Sequence, residues 1–257
     1  LATAKGLARF DGHRFELFSG ATHPELRGGA FFAIRETPDK DLWFGGDHGL
    51  FRRRDGHFER FTTADGLPDN SVRGLFLTND GALVVSTRAG LAFVREGKIT
   101  PAEGALARIE GYIRSYTESA DGSIWISGSA LWRVVGARME RVSDQFDMQS
   151  DALTGSVFGP DGSLWIGSSR GIYRISPDDT VTNLGVNQGL MNLRVTDLRF
   201  DRHGHLWIGT LGGLYRLFGD KIRAVDSREL AVATATSQLF EGRDGGLGVA
   251  SGGGRFR

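Results

Sequence analysis

Cysteine is absent from all 257 residues, so neither a disulfide framework nor a thiolate metal site is open to the chain. Lysine is scarce: Lys5, Lys40, Lys98 and Lys221 stand against 27 arginines. No apolar run approaches the roughly 18 residues that a membrane-spanning helix needs, and no signal peptide is visible. A surplus of charge is lacking too, since 31 basic groups balance 31 acidic ones. That balance argues against a nucleic-acid groove or a polybasic membrane patch. The arginine excess leaves two readings: biased codon usage, or planar guanidiniums that stack and fork onto oxygen-rich ligands.

What the chain does have is a repeat. The clearest copies are LWFGGDHGLFRR (42–53), LWIGSSRGIYRI (164–175) and LWIGTLGGLYRL (206–217). LVVSTRAGLAFV (83–94), IWISGSALWRVV (124–135) and LGVASGGGRFR (247–257) are weaker copies, and ATAKGLARF (2–10) is the tail of another. A glycine recurs at Gly6, Gly49, Gly90, Gly171, Gly213 and Gly254. The period is roughly 40 residues, doubled once where Ala130 replaces the glycine, and it marks a propeller or solenoid.

Within one unit, VTDLRF (195–200), HLWIGT (205–210), LYRLF (214–218) and KIRAV (221–225) read as four short strands joined by turns. The Asp-Gly pairs at 80–81, 121–122 and 161–162 sit where the first hairpin must turn through positive φ. The second strand is apolar on both faces, as expected where neighbouring sheets cover both. The fourth is charged, which suits a wet edge. These features predict an all-β chain, a β-propeller of four-stranded antiparallel blades with seven blade motifs and incomplete terminal blades. One domain spans 1–257, with repeats at about 1–20, 30–61, 71–101, 112–142, 152–184, 194–225 and 235–257. The chain opens inside one repeat and stops inside another, which reads as a piece of a longer protein. The tryptophan column (Trp43, Trp125, Trp165, Trp207, with Val84 and Gly248 as substitutes) is expected between blades as core.

No nucleophile constellation persuades. GSVFG (155–159) misplaces its serine for a nucleophile elbow, and the glycines 252–254 precede no helix, as a phosphate loop would require. His203 and His205 flank a turn and are expected in solvent. Asp178 and Asp179 form a polar turn after Pro177. An aspartate box of the sialidase type needs a residue between aspartate and glycine that 121–122 and 161–162 lack. No catalytic residue, metal ligand or cofactor is therefore expected.

A ligand is expected on the rim that the inter-blade connections share with the second-to-third-strand loops. Aligned copies place Phe32, Arg73, Arg114, Thr154, Thr196 and Ser237 at equivalent positions, with Arg194 just before its copy. Arg73, Arg114 and Arg194 could fork onto a carboxylate, a phosphate or sugar oxygens. Alternatively they pair with Asp69, Asp197 or Glu118, or face water. Asp47, His48, Arg88, Arg170 and Asn192 complete the candidate rim.

GLPDNSVRGL (66–75), LWIGT (206–210), GLYRL (213–217) and the opening GLARFDGHRFELF (6–18) together resemble the two-component regulator propeller repeat, over essentially the whole chain. The resemblance implies a non-catalytic, periplasmic sensor module of a bacterial two-component or diguanylate cyclase receptor. Such receptors add a following β-domain, a membrane span and an output domain, and they signal through a dimer. It also implies a small ligand, with carbohydrate, anion and peptide all open, and neither nucleic acid nor membrane insertion by this segment. Two other readings stand beside it. One is a scaffold that only binds proteins. The other is a propeller lyase of the streptogramin-inactivating type, for which His48 would be the rim histidine.

Overall fold

In the computed structural model the described residues are 2–3, 6–10, 13–27, 30–144, 148, 152–225, 235–241, 247–251 and 254–256. They form seven antiparallel sheets whose strands follow one another in chain order. The type copy, the sixth sheet, consists of Val195–Phe200, Leu206–Thr210, Gly213–Phe218 and Lys221–Ala224. Sheets two to six are four-stranded, and the two terminal sheets have three strands each. The architecture is the expected propeller type, with incomplete blades at both ends. The only helices described are single 3-10 turns in the connections, and none is long and apolar enough to cross a membrane. The irregular connection 226–234 lies outside the described residues.

The chain divides into two compact units, Leu1–Glu118 with Val134–Met139, and Ser119–Arg133 with Glu140–Arg257. In the first unit one core joins Leu7, Phe31, Phe44 and Phe51 of the first two sheets with Leu26 of the turn between them. A second joins Trp43 and Leu50 to Val72, Leu75, Leu83, Val85 and Val94 of the third sheet. In the second unit Trp125 packs with Leu153, Leu164 and Ile166, and Trp165 with Val195, Leu206 and Ile208. Trp43, Trp125 and Trp165 are each under 7 % exposed, which bears out their reading as core; Trp207 is half-buried. At Gly248, where the column has lost its indole, phenylalanine from the first strand takes the space. A Cβ on Gly248 would lie 2.0 Å from the ring of Phe240, its cross-strand partner.

The repeat glycine of the second strand has a steric cause. A Cβ on Gly45 would stand 2.3 Å from Val72 Cγ1, and one on Gly167 2.7 Å from Val195 Cγ1. The glycine lets the first strand of the next sheet approach at backbone distance. GLPDN is explained by its turn. Thr62 and Asp65 close a capping box, Gly66 adopts φ 105, and Leu67 drops into the core at 4 % exposure.

The first-hairpin turns carry aspartates with lowered pKa values. Asp80 is held down to about 2 by the Thr78 hydroxyl and by Arg95. At Asp201 burial raises the pKa, but the Trp207 indole, the His205 ring and the backbone N–H groups of His203 and His205 outweigh it and the net shift is downward. A carboxylate whose folded pKa lies below its unfolded value near 3.9 contributes stability above that value and loses it as pH falls. The melting temperature should therefore drop between about pH 5 and pH 2. Asp201→Asn should flatten that dependence; a melting-temperature profile parallel to the parent's would refute the assignment.

Candidate functional site

The candidate column is built by β-bulges. In the first strands the ladder skips a residue between Phe31 and Ala33, Val72 and Gly74, Leu153 and Gly155, and Val195 and Asp197. The residues left out of register are Phe32, Arg73, Thr154 and Thr196. A bulge frees one residue from the ladder and re-aims its side chain. In the first unit this places the Arg73 guanidinium 3.7 Å from the centroid of Phe32 and 5.6 Å from that of Tyr112. Its Nη2 donates to Asp47 Oδ1 at 2.7 Å, while its Nη1 is buried without a partner. Phe32 is 46 % and Tyr112 36 % exposed.

The polar chain continues outward. Tyr112 Oη donates to Ser71 Oγ at 2.9 Å, and the Ser71 N–H donates to Asp69 Oδ1 at 2.7 Å. Arg88 reaches Asp69 Oδ2 at 3.3 Å. Asp47 and Arg88 come from the second-to-third-strand turns of sheets two and three, as the repeat alignment anticipated. Arg73, Asp47 and Arg88 are thus brought together, and Phe32 and Tyr112 join them. The two arginines and two aspartates balance, so the cluster offers ring faces and planar donors rather than net charge.

The remaining candidates are spread out. His48 is exposed in the turn beside Asp47, and its carbonyl, not its ring, accepts from Arg60 Nε at 2.8 Å. Arg114 is exposed just before Ser115–Glu118. In the second unit, Asn192 packs on Gly212 and accepts from the Arg194 N–H at 3.1 Å, while the Arg194 and Arg170 side chains are exposed. Among the expected acidic partners, Asp69 takes a candidate arginine, Arg88. Asp197 accepts from the Leu198 and Leu239 N–H groups, and Glu118 from the Tyr116 hydroxyl and the Asn79 N–H. Tyr112 stands two places before Arg114, as Arg194 does before Thr196, and was missed because a ring at that place carries no charge to mark it.

A second use of arginine was also illegible in one dimension. Arg52, Arg133, Arg174 and Arg216 lie with Cζ 5.2–5.4 Å from the rings of Trp43, Trp125, Trp165 and Trp207. Three of the pairs are direct cross-strand partners. Carboxylates of Asp41, Asp121 and Asp161 hold three of the guanidiniums in place. A planar cation stacks on an indole where an ammonium would demand its water. These pairs give part of the arginine excess a structural role.

Among the described residues no three His, Cys, Asp or Glu side chains group so as to hold a metal ion. Residues 189–212 match the family model of the two component regulator propeller. This stretch is such a repeat. It contains Asn192, Arg194 and the LWIGT strand. Among solved structures, the extracellular domain of a hybrid two component system from B. thetaiotaomicron superposes with TM-score 0.82 at 19 % identity, over 99 % of this chain and 37 % of that one. A second such domain from the same organism gives 0.75 at 17 % identity, over 99 % and 36 %. A catalytically inactive virginiamycin B lyase from Staphylococcus aureus gives 0.74 at 15 % identity, over 97 % and 85 %. At these identities the likeness is one of fold. The chain spans little more than a third of the two receptor domains. No curated protein matches it.

Proposed function

We propose that this chain is the ligand-sensing part of an extracytoplasmic receptor domain of a bacterial two-component or diguanylate cyclase system, and is not itself an enzyme. The observation that carries the reading is the two component regulator propeller repeat at 189–212, set in a fold shared along 99 % of the chain with receptor ectodomains. The ligand docks on the Arg73 cluster, where two exposed ring faces and a half-satisfied guanidinium suit the flat apolar face and oxygens of a carbohydrate, or a small anion. His48 follows Asp47 in its turn, and Arg114 lies two residues beyond Tyr112. In the second unit Arg170, Asn192 and Arg194 form the corresponding rim. Occupancy would alter how the module seats on a following domain of the parent chain, and a dimer would carry that change from the periplasm across the inner membrane.

The test is a thermal-shift screen of oligosaccharides and anionic metabolites, followed by calorimetry on any hit. Arg73→Ala should weaken binding by about tenfold or more, the cost of one charge-assisted contact of about 1.5–3 kcal/mol. Unchanged affinity would move the site elsewhere. Turnover of a hit with an added divalent metal would favour a lyase instead.

A further inference from the structure

The second unit holds a cavity of about 530 Å³ between its fifth and sixth sheets, lined by Trp165, Phe200, Leu217 and Phe218 with Asp161, Arg174 and His205. It lies at the first-hairpin end of the strands, opposite the end that bears Arg170, Asn192 and Arg194. Trp165 is only 6 % exposed, and its indole N–H is buried with no acceptor.

The neighbouring sheets show what is missing. The equivalent indole of Trp207 donates to Asp201 at 2.9 Å. Asp201 is the first residue of its hairpin turn, its N–H bonded to the His205 carbonyl; Gly159 holds that place in the fifth sheet, its N–H bonded to the Ser163 carbonyl. Thr37, Thr78 and Ser119 supply hydroxyls at the same place in sheets two to four. The fifth sheet alone of these five has a bare backbone there. Asp161 Oδ1, the indole nitrogen and the tip of the Phe200 ring border the vacated space, 2.8, 3.0 and 3.1 Å from where a Gly159 Cβ would stand, and that Oδ1 already accepts from the Ser163 N–H at 3.0 Å. The ring meets Trp165 edge-on at 6.2 Å. A buried N–H covered by an apolar edge is costly, so an occupant that displaces the ring and accepts the hydrogen bond gains the full desolvation penalty.

We infer that this cavity is a second binding site, for a small neutral ligand with an apolar body and one carbonyl-type acceptor that takes the Trp165 N–H. The polar lining is already internally compensated. Arg174 Nη2 meets Asp161 Oδ2 at 2.6 Å, and His205 Nδ1 meets Asp201 Oδ2 at 3.1 Å. A charged ligand would find no unpaired counter-ion here, whereas the indole donates only. Phe200, Leu217 and Phe218 supply the apolar walls.

Benzamide is the probe, titrated into the whole chain labelled with ¹⁵N at indole nitrogen. The Trp165 signal is the one that disappears in Trp165→Phe. It should shift downfield saturably with benzamide, while toluene, which lacks the acceptor, leaves it without a downfield shift. Gly159→Ser, which restores the hydroxyl of the other sheets, should abolish the response. Phe218→Ala removes an exposed wall without touching the core and should weaken binding about fivefold. A Trp165 signal that stays still up to the solubility limit of benzamide overturns the site. So does one already downfield and unresponsive because resident water bonds it, or a Gly159→Ser or Phe218→Ala protein that responds like the parent.

Discussion

Phe44→Ala should lower unfolding free energy by about 3–5 kcal/mol, the range for emptying a fully enclosed aromatic site. Phe44 has no exposed surface. Its ring stacks on Phe51 at 5.4 Å and 7°, and meets Phe31 edge-on at 5.1 Å and Phe58 at 5.9 Å. All four rings belong to the second sheet, and Leu7 and Phe18 of the first sheet pack against them, so the neighbours cannot collapse into the void without pulling strands out of register. Phe44→Leu keeps most of the volume and should cost markedly less. Equal losses for Leu and Ala, in urea titrations with unchanged m-values, would show that aromatic packing is not what holds these sheets.

Gly45→Ala should destabilise by about 1–3 kcal/mol although it adds one methyl group. The backbone at Gly45 is not in the left-handed region, so the cost is purely steric, against Val72 Cγ1 at 2.3 Å and Val72 Cβ at 2.9 Å. Val72→Ala alone should also destabilise, by leaving a cavity in the core around Trp43 and Leu75. Combined, the two changes should cost less than their sum, because each relieves the other. Strict additivity in the double-mutant cycle would mean that the close approach of the two sheets is not what selects glycine.

Strand positions were legible to within a residue or two, because each is bounded by a glycine or an Asp-Gly turn whose φ is positive: Gly81 at 83°, Gly122 at 81°, Gly213 at 128°. The reading of Trp43, Trp125 and Trp165 as core followed from apolarity on both faces of the second strand. The bulges were not legible. A ladder that skips Phe32 or Arg73 looks in sequence like an ordinary strand, since the extra residue is absorbed by the partner's register. The arginine–indole pairs were hidden for the same reason. Trp165 and Arg174 meet only because a particular hairpin register sets them opposite each other. The candidate site was half legible: Arg73, Asp47 and Arg88 followed from the alignment of copies, but Tyr112, at the place Arg194 holds in its own copy, bears no charge that would single it out. The Gly159 vacancy was in plain view as a residue, yet its meaning needs the indole above it.

The stacking of guanidinium on indole bears on how such a chain diversifies. Each of four sheets carries its own cation–ring clasp on its own hairpin, and three are tied down by an aspartate of the same sheet. Much of a blade's reinforcement is therefore local, and loops at the far end of the strands can be rewritten copy by copy without loosening it. Seven near-copies of one motif can then present seven different surfaces, and new specificity arises by editing one repeat while the others hold the frame.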